Sequence, residues 1–445
     1  MNQTKRVSRR KLLKAAGLVA IGAGATTLAA CAAPAAGPGG SSGPVVLKGA
    51  TINWLGGPWS FLPELDPVID AFAKDWGTQN GVTINFTRES TNLGAKIQTA
   101  IETGQGANII QLADAPAQYG KSLADVSTVA EALSAEGGGY LPAGAFQCND
   151  GSRWIAVPLG QHNWFMNYRQ DWFKEAGYDK FPDNFDDLLV AGTKLKAAGH
   201  PFGWTMGDKA GGDGNAAPYI ILWAFGGKEF NPDGSVALDS KETLAALDYF
   251  IKFHKQAGDP DEIAYDDGAN NTAFNQGKIS LTANVNTIYL PAKKNFPAVA
   301  EGMNHAIPPK GPAGRFGACT LPWWGILNKT TGANLDAAKA YIRDFFAIKN
   351  LSKFYQAGQG YILPVLPKYE TEPIWPSDPK LAIAKEMFKL ALPAGYNLKN
   401  QSKLSSLMQT KLVVGKMFAA AATSGDPRKA LDGALKDISD LKLLA

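Results

Sequence analysis

The chain predicts an α/β fold in which short strands alternate with helices, and three stretches carry that expectation. Residues 51–55 (T-I-N-W-L), 82–86 (V-T-I-N-F) and 107–114 (A-N-I-I-Q-L-A-D) are short and rich in apolar or β-branched side chains. A helix is expected from about residue 63 to 76, and Leu93, Ile97 and Ile101 mark another that stops at Gly104. Strands joined by helices make a parallel sheet, whose ligands lie beyond the carboxyl ends of the strands.

The most ordered run is residues 154–199. W-I-A-V-P at 154–158 suits a buried strand that Pro158 closes. L-G-Q-H-N-W-F-M-N-Y-R at 159–169 mixes apolar and polar residues and suits a crossing between two lobes. In Q-D-W-F-K-E-A-G-Y, Asp171 opens a short helix and Gly177 ends it in a left-handed cap. Asn184 is placed to cap a second helix, with Phe185, Leu188, Leu189 and Leu195 at helical spacing until Gly199.

At these residues the chain resembles the family 1 extracellular solute-binding proteins of ABC importers, the maltose-binding-protein-like group. That family reads "g-k-x-y-a-v-P", then "Y-x-k-D-l-f-k-e-a-G", then "P-x-t-W-d-e-l-l-x-a-a-k-k-l-k-x-x-G". This chain has D-G-S-R-W-I-A-V-P, Y-R-Q-D-W-F-K-E-A-G and F-P-D-N-F-D-D-L-L-V-A-G-T-K-L-K-A-A-G, with Phe185 where Trp is usual. Residues 274–286, F-N-Q-G-K-I-S-L-T-A-N-V-N, resemble a helix end followed by a strand. Thr287 stands there in place of an aromatic, so one sugar-stacking platform is either missing or supplied elsewhere. L-P-W-W-G-I-L-N-K-T-T-G at 321–332 and G-Q-G-Y-I-L-P-V at 358–365 are similar to the second and third crossings, and the resemblance covers essentially residues 51–444.

The resemblance implies a two-lobed periplasmic-binding-protein fold (type II-like), with three crossings near residues 159–164, 316–325 and 360–368 and a ligand cleft between the lobes. Residues 47–160 and 325–366 are expected to form the N-lobe, and 161–324 with 367–445 the C-lobe. A long helix is expected at 241–256, and helices at 219–227 and 337–346. The tail from Leu381 reads as amphipathic helix.

The first residues read as an address. S-R-R-K-L-L-K at 8–14 resembles a twin-arginine export motif, the following apolar segment is too short to span a membrane as a mature helix, and L-A-A-C at 28–31 looks like a lipobox. Residues 1–30 are therefore expected to be a signal peptide and Cys31 a lipidation site, and residues 31–46, rich in Ala, Gly, Pro and Ser, a flexible tether. All six basic residues before Cys31 leave with the signal and no acidic one does. The formal +4 of the 445-residue chain becomes 38 basic against 40 acidic residues, which removes any argument for nucleic acid. The expected location is the cell envelope outside the cytoplasm, with the membrane reached through the lipid alone. Of three cysteines, Cys148 and Cys319 remain, either paired or as two separate buried thiols.

No catalytic constellation is visible. There is no G-x-S-x-G, H-E-x-x-H or G-x-x-x-x-G-K-[ST], the four histidines His162, His200, His254 and His305 lie far apart, and no metal or cofactor is expected. The carboxylate pairs Asp186-Asp187 and Asp266-Asp267 read as solvated faces or helix starts. Eleven Trp are the conspicuous feature. A sugar ring needs flat aromatic surfaces for its C–H face and polar partners for its hydroxyls. Core packing is the reading for Trp76, Trp154, Trp172 and Trp223. Trp59, Trp323 and Trp324, beside Gly or Pro, are read as loop residues facing a ligand, and Gln161 and His162 as polar contacts in the first crossing.

The candidate ligand-binding residues are thus Trp54, Trp59, Asp114, Gln161, His162, Trp204, Asp213, Asn286, Trp323 and Trp324. The expected partners are a small molecule, a carbohydrate by this reasoning, and the permease subunits of an ABC transporter. A polyamine or organic anion in the same fold, and an envelope glycoside hydrolase, are the alternatives.

Overall fold

A computed structural model describes residues 47–113, 116–206 and 212–445. The signal and tether, Cys31, Asp114 and part of the Gly-rich stretch before Asp213 lie outside the described residues. Thirteen strands are described. In chain order they are β1 (Thr51–Gly56), β2 (Thr83–Arg88), β3 (Ile109–Leu112), β4 (Val157–Pro158), β5 (His162–Asn163), β6 (Phe165–Arg169) and β7 (Leu281–Asn284). They continue as β8 (Met303–Ala306), β9 (Lys310–Gly311), β10 (Gly314–Arg315), β11 (Gly317–Thr320), β12 (Trp323–Ile326) and β13 (Ala391–Pro393). One sheet has the order β2-β1-β3-β12-β4, two smaller ones are β7-β6-β8 and β13-β11-β5, and β9 with β10 is a hairpin.

The first three strands are parallel, as the alternation with helices predicts, whereas β12 runs antiparallel to both β3 and β4. Helices Leu65–Asn80 and Leu93–Thr103 fill the connections, and the first buries Leu65, Ile69, Ala73 and Trp76 at three- to four-residue intervals. Trp76 Nε1 donates to Asp344 Oδ2 at 2.8 Å, so this buried indole keeps its hydrogen bond. The second helix ends at Gly104 as expected.

The run 154–199 folds largely as its spacing predicts. Helix Gln170–Glu175 is followed by Gly177 at φ 89°, a conformation that needs glycine. Helix Phe185–Ala197 starts where the Asn184 side chain accepts the Asp187 N–H at 2.8 Å, and Phe185, Leu188, Ala191 and Leu195 are buried on one face. The strand expected at 154–158 shortens to β4, because β12 pairs only with Val157 and Pro158, and Trp154 makes a single bridge to Asn149.

Two further expectations change, and one left open between alternatives is decided. The helix expected at 219–227 begins earlier, as Asp213–Ala224, and every residue in it is buried, so periodicity carried no signal for its start. The tail is broken into helices Ile383–Leu390, Lys403–Thr410, Val413–Ser424 and Pro427–Lys442 with β13 between the first two. Cys148 and Cys319 are free, both buried in apolar surroundings that push their thiols far up. Among the described residues no helix is long and apolar enough to cross a membrane.

Candidate ligand-binding site

Three segments far apart in sequence are stitched side by side. β5 pairs antiparallel with β11, setting His162 opposite Thr320; Gln161 and Leu363 exchange backbone hydrogen bonds at 2.7 and 2.9 Å; and Leu159 N–H donates to Pro322 O at 2.8 Å. The Gln161 side chain belongs to this stitching, since Nε2 donates to Phe388 O at 2.9 Å and to Pro364 O at 3.3 Å. A buried amide so engaged holds the backbone and leaves little for a solute.

Beside these segments opens a cavity of about 340 Å³. His162, Trp164, Thr320 and Tyr361 come from the stitched segments, and Phe61 and Ala113 from the loops that follow β1 and β3, beyond the carboxyl ends of parallel strands. Asp213 and Asn215 come from the start of helix Asp213–Ala224, Asp267 from the turn before helix Ala269–Asn275, Asn284 from the end of β7, and Gln409 and Leu412 from the tail. Leu412 sits at φ 55°, a conformation rare for a side chain of its size.

Asp213 is the most connected polar group here. Its Oδ1 accepts from Trp164 Nε1 at 2.6 Å, and its Oδ2 from Asn270 Nδ2 and Asn284 Nδ2, both at 2.8 Å. The Trp164 indole comes so close to Gly212 that a Cβ there would lie 2.6 Å from its Cζ2, so glycine is required at that position for space. Asp267 accepts the backbone N–H groups of Gly212 and Asp213 at 3.0 and 3.2 Å. Burial and then the charge of Asp267 raise the Asp213 carboxyl well above its ordinary value, and burial pushes Asp267 up to about 6. Burial also holds His162 down to about 4, so its imidazole is neutral at physiological pH. Its Nε2 and the Oδ1 of Asn215 are buried without a protein partner.

The sequence-predicted residues divide. His162 and Asp213 line the cavity. Trp59, expected on an exposed turn, is buried: its backbone N–H donates to Asp66 Oδ2 at 3.3 Å, and its ring packs edge-on against His162 and Tyr361. Phe61, two residues on and 45 % exposed, lines the cavity instead. Trp323 and Trp324 are corrected from loop to strand: they open β12 and are wholly buried, Trp324 under helix Gly332–Phe346 and Trp323, on the opposite face of the sheet, against Tyr119. Trp324 stacks on Phe345 with ring centroids 5.1 Å apart and meets Trp54 edge-on at 5.8 Å, which places Trp54 in the same core. Trp204 is likewise interior, edge-on to Phe253 at 5.2 Å. Asn286 does not line the cavity, and its Nδ2 donates to Gln359 O at 2.7 Å. Asp114 lies outside the described residues.

Trp164 and Tyr361 were within reach of the sequence, since both lie in expected crossings, but Asp267 was masked by its neighbour. Asp266 does what a helix-start carboxylate should, accepting from Gly268 and Ala269 N–H ahead of helix Ala269–Asn275, while Asp267 turns to the cavity. Gln409 and Leu412 had no signal beyond an amphipathic helix. With Thr287 on the lining, the aromatic surfaces come from Phe61, Trp164 and Tyr361.

The fold has close structural counterparts. A maltose-bound T. maritima protein, MalE3, superimposes with a TM-score of 0.72 at 19 % identity, over 88 % of this chain and 100 % of that one. A sugar transporter protein from Arthrobacter chlorophenolicus A6 with bound laminaribiose gives 0.75 at 19 % identity over 88 % and 99 %. A solute-binding protein from Agrobacterium radiobacter K84 in complex with ribitol gives 0.69 at 18 % over 89 % and 99 %. These likenesses establish the periplasmic-binding-protein fold. A binding protein of Brucella abortus (strain 2308) is 25 % identical over 215 residues, 47 % of this chain, and the aligned part spans 50 % of that relative. Residues 62–347 match the model of the bacterial extracellular solute-binding protein family, and the chain belongs to that family.

Proposed function

We propose that this protein is the lipid-anchored, substrate-binding component of an ABC importer, taking a sugar and delivering it to permease subunits at the outer face of the membrane. The observation that carries this reading is the cavity, which sets the aromatic faces of Trp164, Tyr361 and Phe61 around hydrogen-bonding groups from four other segments. Aromatic faces suit the C–H side of a sugar ring and the polar groups suit its hydroxyls. Its volume of about 340 Å³ lies at the small end of ligand cavities, so a mono- or disaccharide fits better than a long chain. The sugars and polyol bound by the structural counterparts support the same class.

In this reading residues 47–160 and 325–366 form one lobe and 161–324 and 367–445 the other, with the three stitched segments as the base of the cleft. Ligand contacts on both lobes favour a closed form by their differential affinity for it. The protein acts as a receptor and catalyses no reaction. The two acidic groups at the cavity are held in place, Asp213 by three side-chain N–H donors and Asp267 by two backbone ones, an arrangement suited to holding a solute with the lone pairs that remain.

A thermal-shift screen of the mature protein against mono- and disaccharides, with product analysis of the hits, tests the proposal. Binding to the native state alone raises Tm by mass action. A saturable shift with intact sugar is expected; hydrolysis of the sugar would move the assignment to an enzyme, and a shift only with organic anions would change the solute class.

A further inference from the structure

Among the described residues the cavity carries an imbalance of charge that a neutral sugar leaves unexplained. Asp213 and Asp267 both line it, and no Lys or Arg does among the described residues. The other titratable lining groups are His162 on β5 and Tyr361 on the third stitched segment. Neither supplies a positive charge, because burial keeps the imidazole neutral and raises the phenol. Asp266, beside Asp267 on the same turn, adds negative charge nearby.

The amide and indole donors next to Asp213 are also spent. Trp164 Nε1, Asn270 Nδ2 and Asn284 Nδ2 all point at Asp213, and besides the His162 ring and the Tyr361 hydroxyl what remains open at this corner is accepting: the other lone pairs of the two carboxylates and the unpartnered Oδ1 of Asn215, which is only 7 % exposed. A neutral hydroxyl offers one donor to such a corner. An ammonium group offers three donors, no acceptor, and the positive charge that favours the ionised form of a buried acidic pair whose carboxyls are otherwise pushed towards the neutral form.

We infer that the solute of this cavity carries a protonated amine, as an amino sugar or aminocyclitol does, seated against Asp213 and Asp267. The frame of the ligand rests on the sugar-binding reading; its charge rests on the carboxylates and Asn215. The interaction needs Asp267 ionised, so affinity for an amine strengthens as pH rises through about 6 and weakens below it, while a neutral sugar lacks that gain.

Calorimetric titration of the mature protein with matched probes tests this: glucose against glucosamine, galactose against galactosamine, and putrescine as a cation without a sugar frame. Near neutral pH the amine member of a pair is expected to bind at least about tenfold tighter than its neutral counterpart. That ratio should fall towards one near pH 5 and in Asp267→Asn, whose fold is checked by circular dichroism. A neutral sugar that binds as tightly as its amine, with a ratio untouched by Asp267→Asn, overturns the amine assignment and leaves the sugar reading standing. Putrescine binding without any sugar overturns the sugar frame and upholds the charge. Silence from every probe overturns both.

Discussion

Trp324→Ala separates a core residue from a ligand platform. The side chain has no exposure, touches Trp54, Tyr341, Phe345 and Phe346, and its Nε1 has no hydrogen-bond partner. Burying an aromatic of this size removes about 150–250 Å² from water, which at roughly 25 cal/mol per Å² gives about 4–6 kcal/mol as an upper bound. Removing a partnerless buried N–H returns on the order of 1 kcal/mol. The cavity left among four rings cannot collapse fully, so a net loss of about 3–5 kcal/mol is expected. Denaturant titration of the ligand-free protein should show that loss, and Trp324→Phe, which keeps the stack on Phe345, should show less than half of it. Solute affinity, measured well below the lowered Tm, should stay within about twofold of wild type. A variant with wild-type stability and affinity reduced by tenfold or more would return Trp324 to the binding site and refute the argument from burial.

His162→Ala should weaken solute binding by about 1–3 kcal/mol in calorimetric titration, and it should also lower the ligand-free melting temperature, because the buried ring packs against Trp59 and Tyr361. Asp267→Asn should change the pH dependence of stability in a definite sense. The folded carboxyl binds its proton up to about pH 6 and the unfolded one only to about 4, so wild-type stability falls across that interval relative to the variant and the gap is constant above it. Melting curves from about pH 4 to 7 check this, and a wild-type stability that rose relative to the variant with increasing pH would contradict the raised value. Cys31→Ser should move the protein from the membrane fraction to the soluble one, and Arg9→Lys with Arg10→Lys should block export through a twin-arginine route; fractionation and immunoblotting read both.

Alternation of strands and helices in the first 110 residues, and the cap at Asn184, were legible because they are local: each depends on residues within one turn or one strand. The failures share a physical cause. W-W-G-I reads as a loop because Pro322 and Gly325 flank the indoles, yet a strand covered on both faces needs no polar alternation and shows none. Helix Asp213–Ala224 is buried all round, so its start was invisible for the same reason. Within the site, His162 was legible through its place in a crossing. Asp267 was not, because only the folded turn decides that Asp266 caps a helix and its neighbour faces the cavity.

The two buried thiols give the molecule a built-in gauge of its own opening. Cys148 ends the helix Pro142–Cys148, and Cys319 lies in β11 beside β5, where the three segments are stitched. Neither reacts with an aqueous thiol reagent until its surroundings part, because burial suppresses the thiolate and excludes the reagent. Labelling followed by mass spectrometry of the two peptides therefore times two separate opening events in one chain. If the stitched segments part without global unfolding, Cys319 is labelled first; if the fold opens as one unit, both acquire label at one rate. The same silence lets a cysteine introduced at an exposed position, such as Phe61, carry a fluorophore with no native thiol to remove from the described part of the chain.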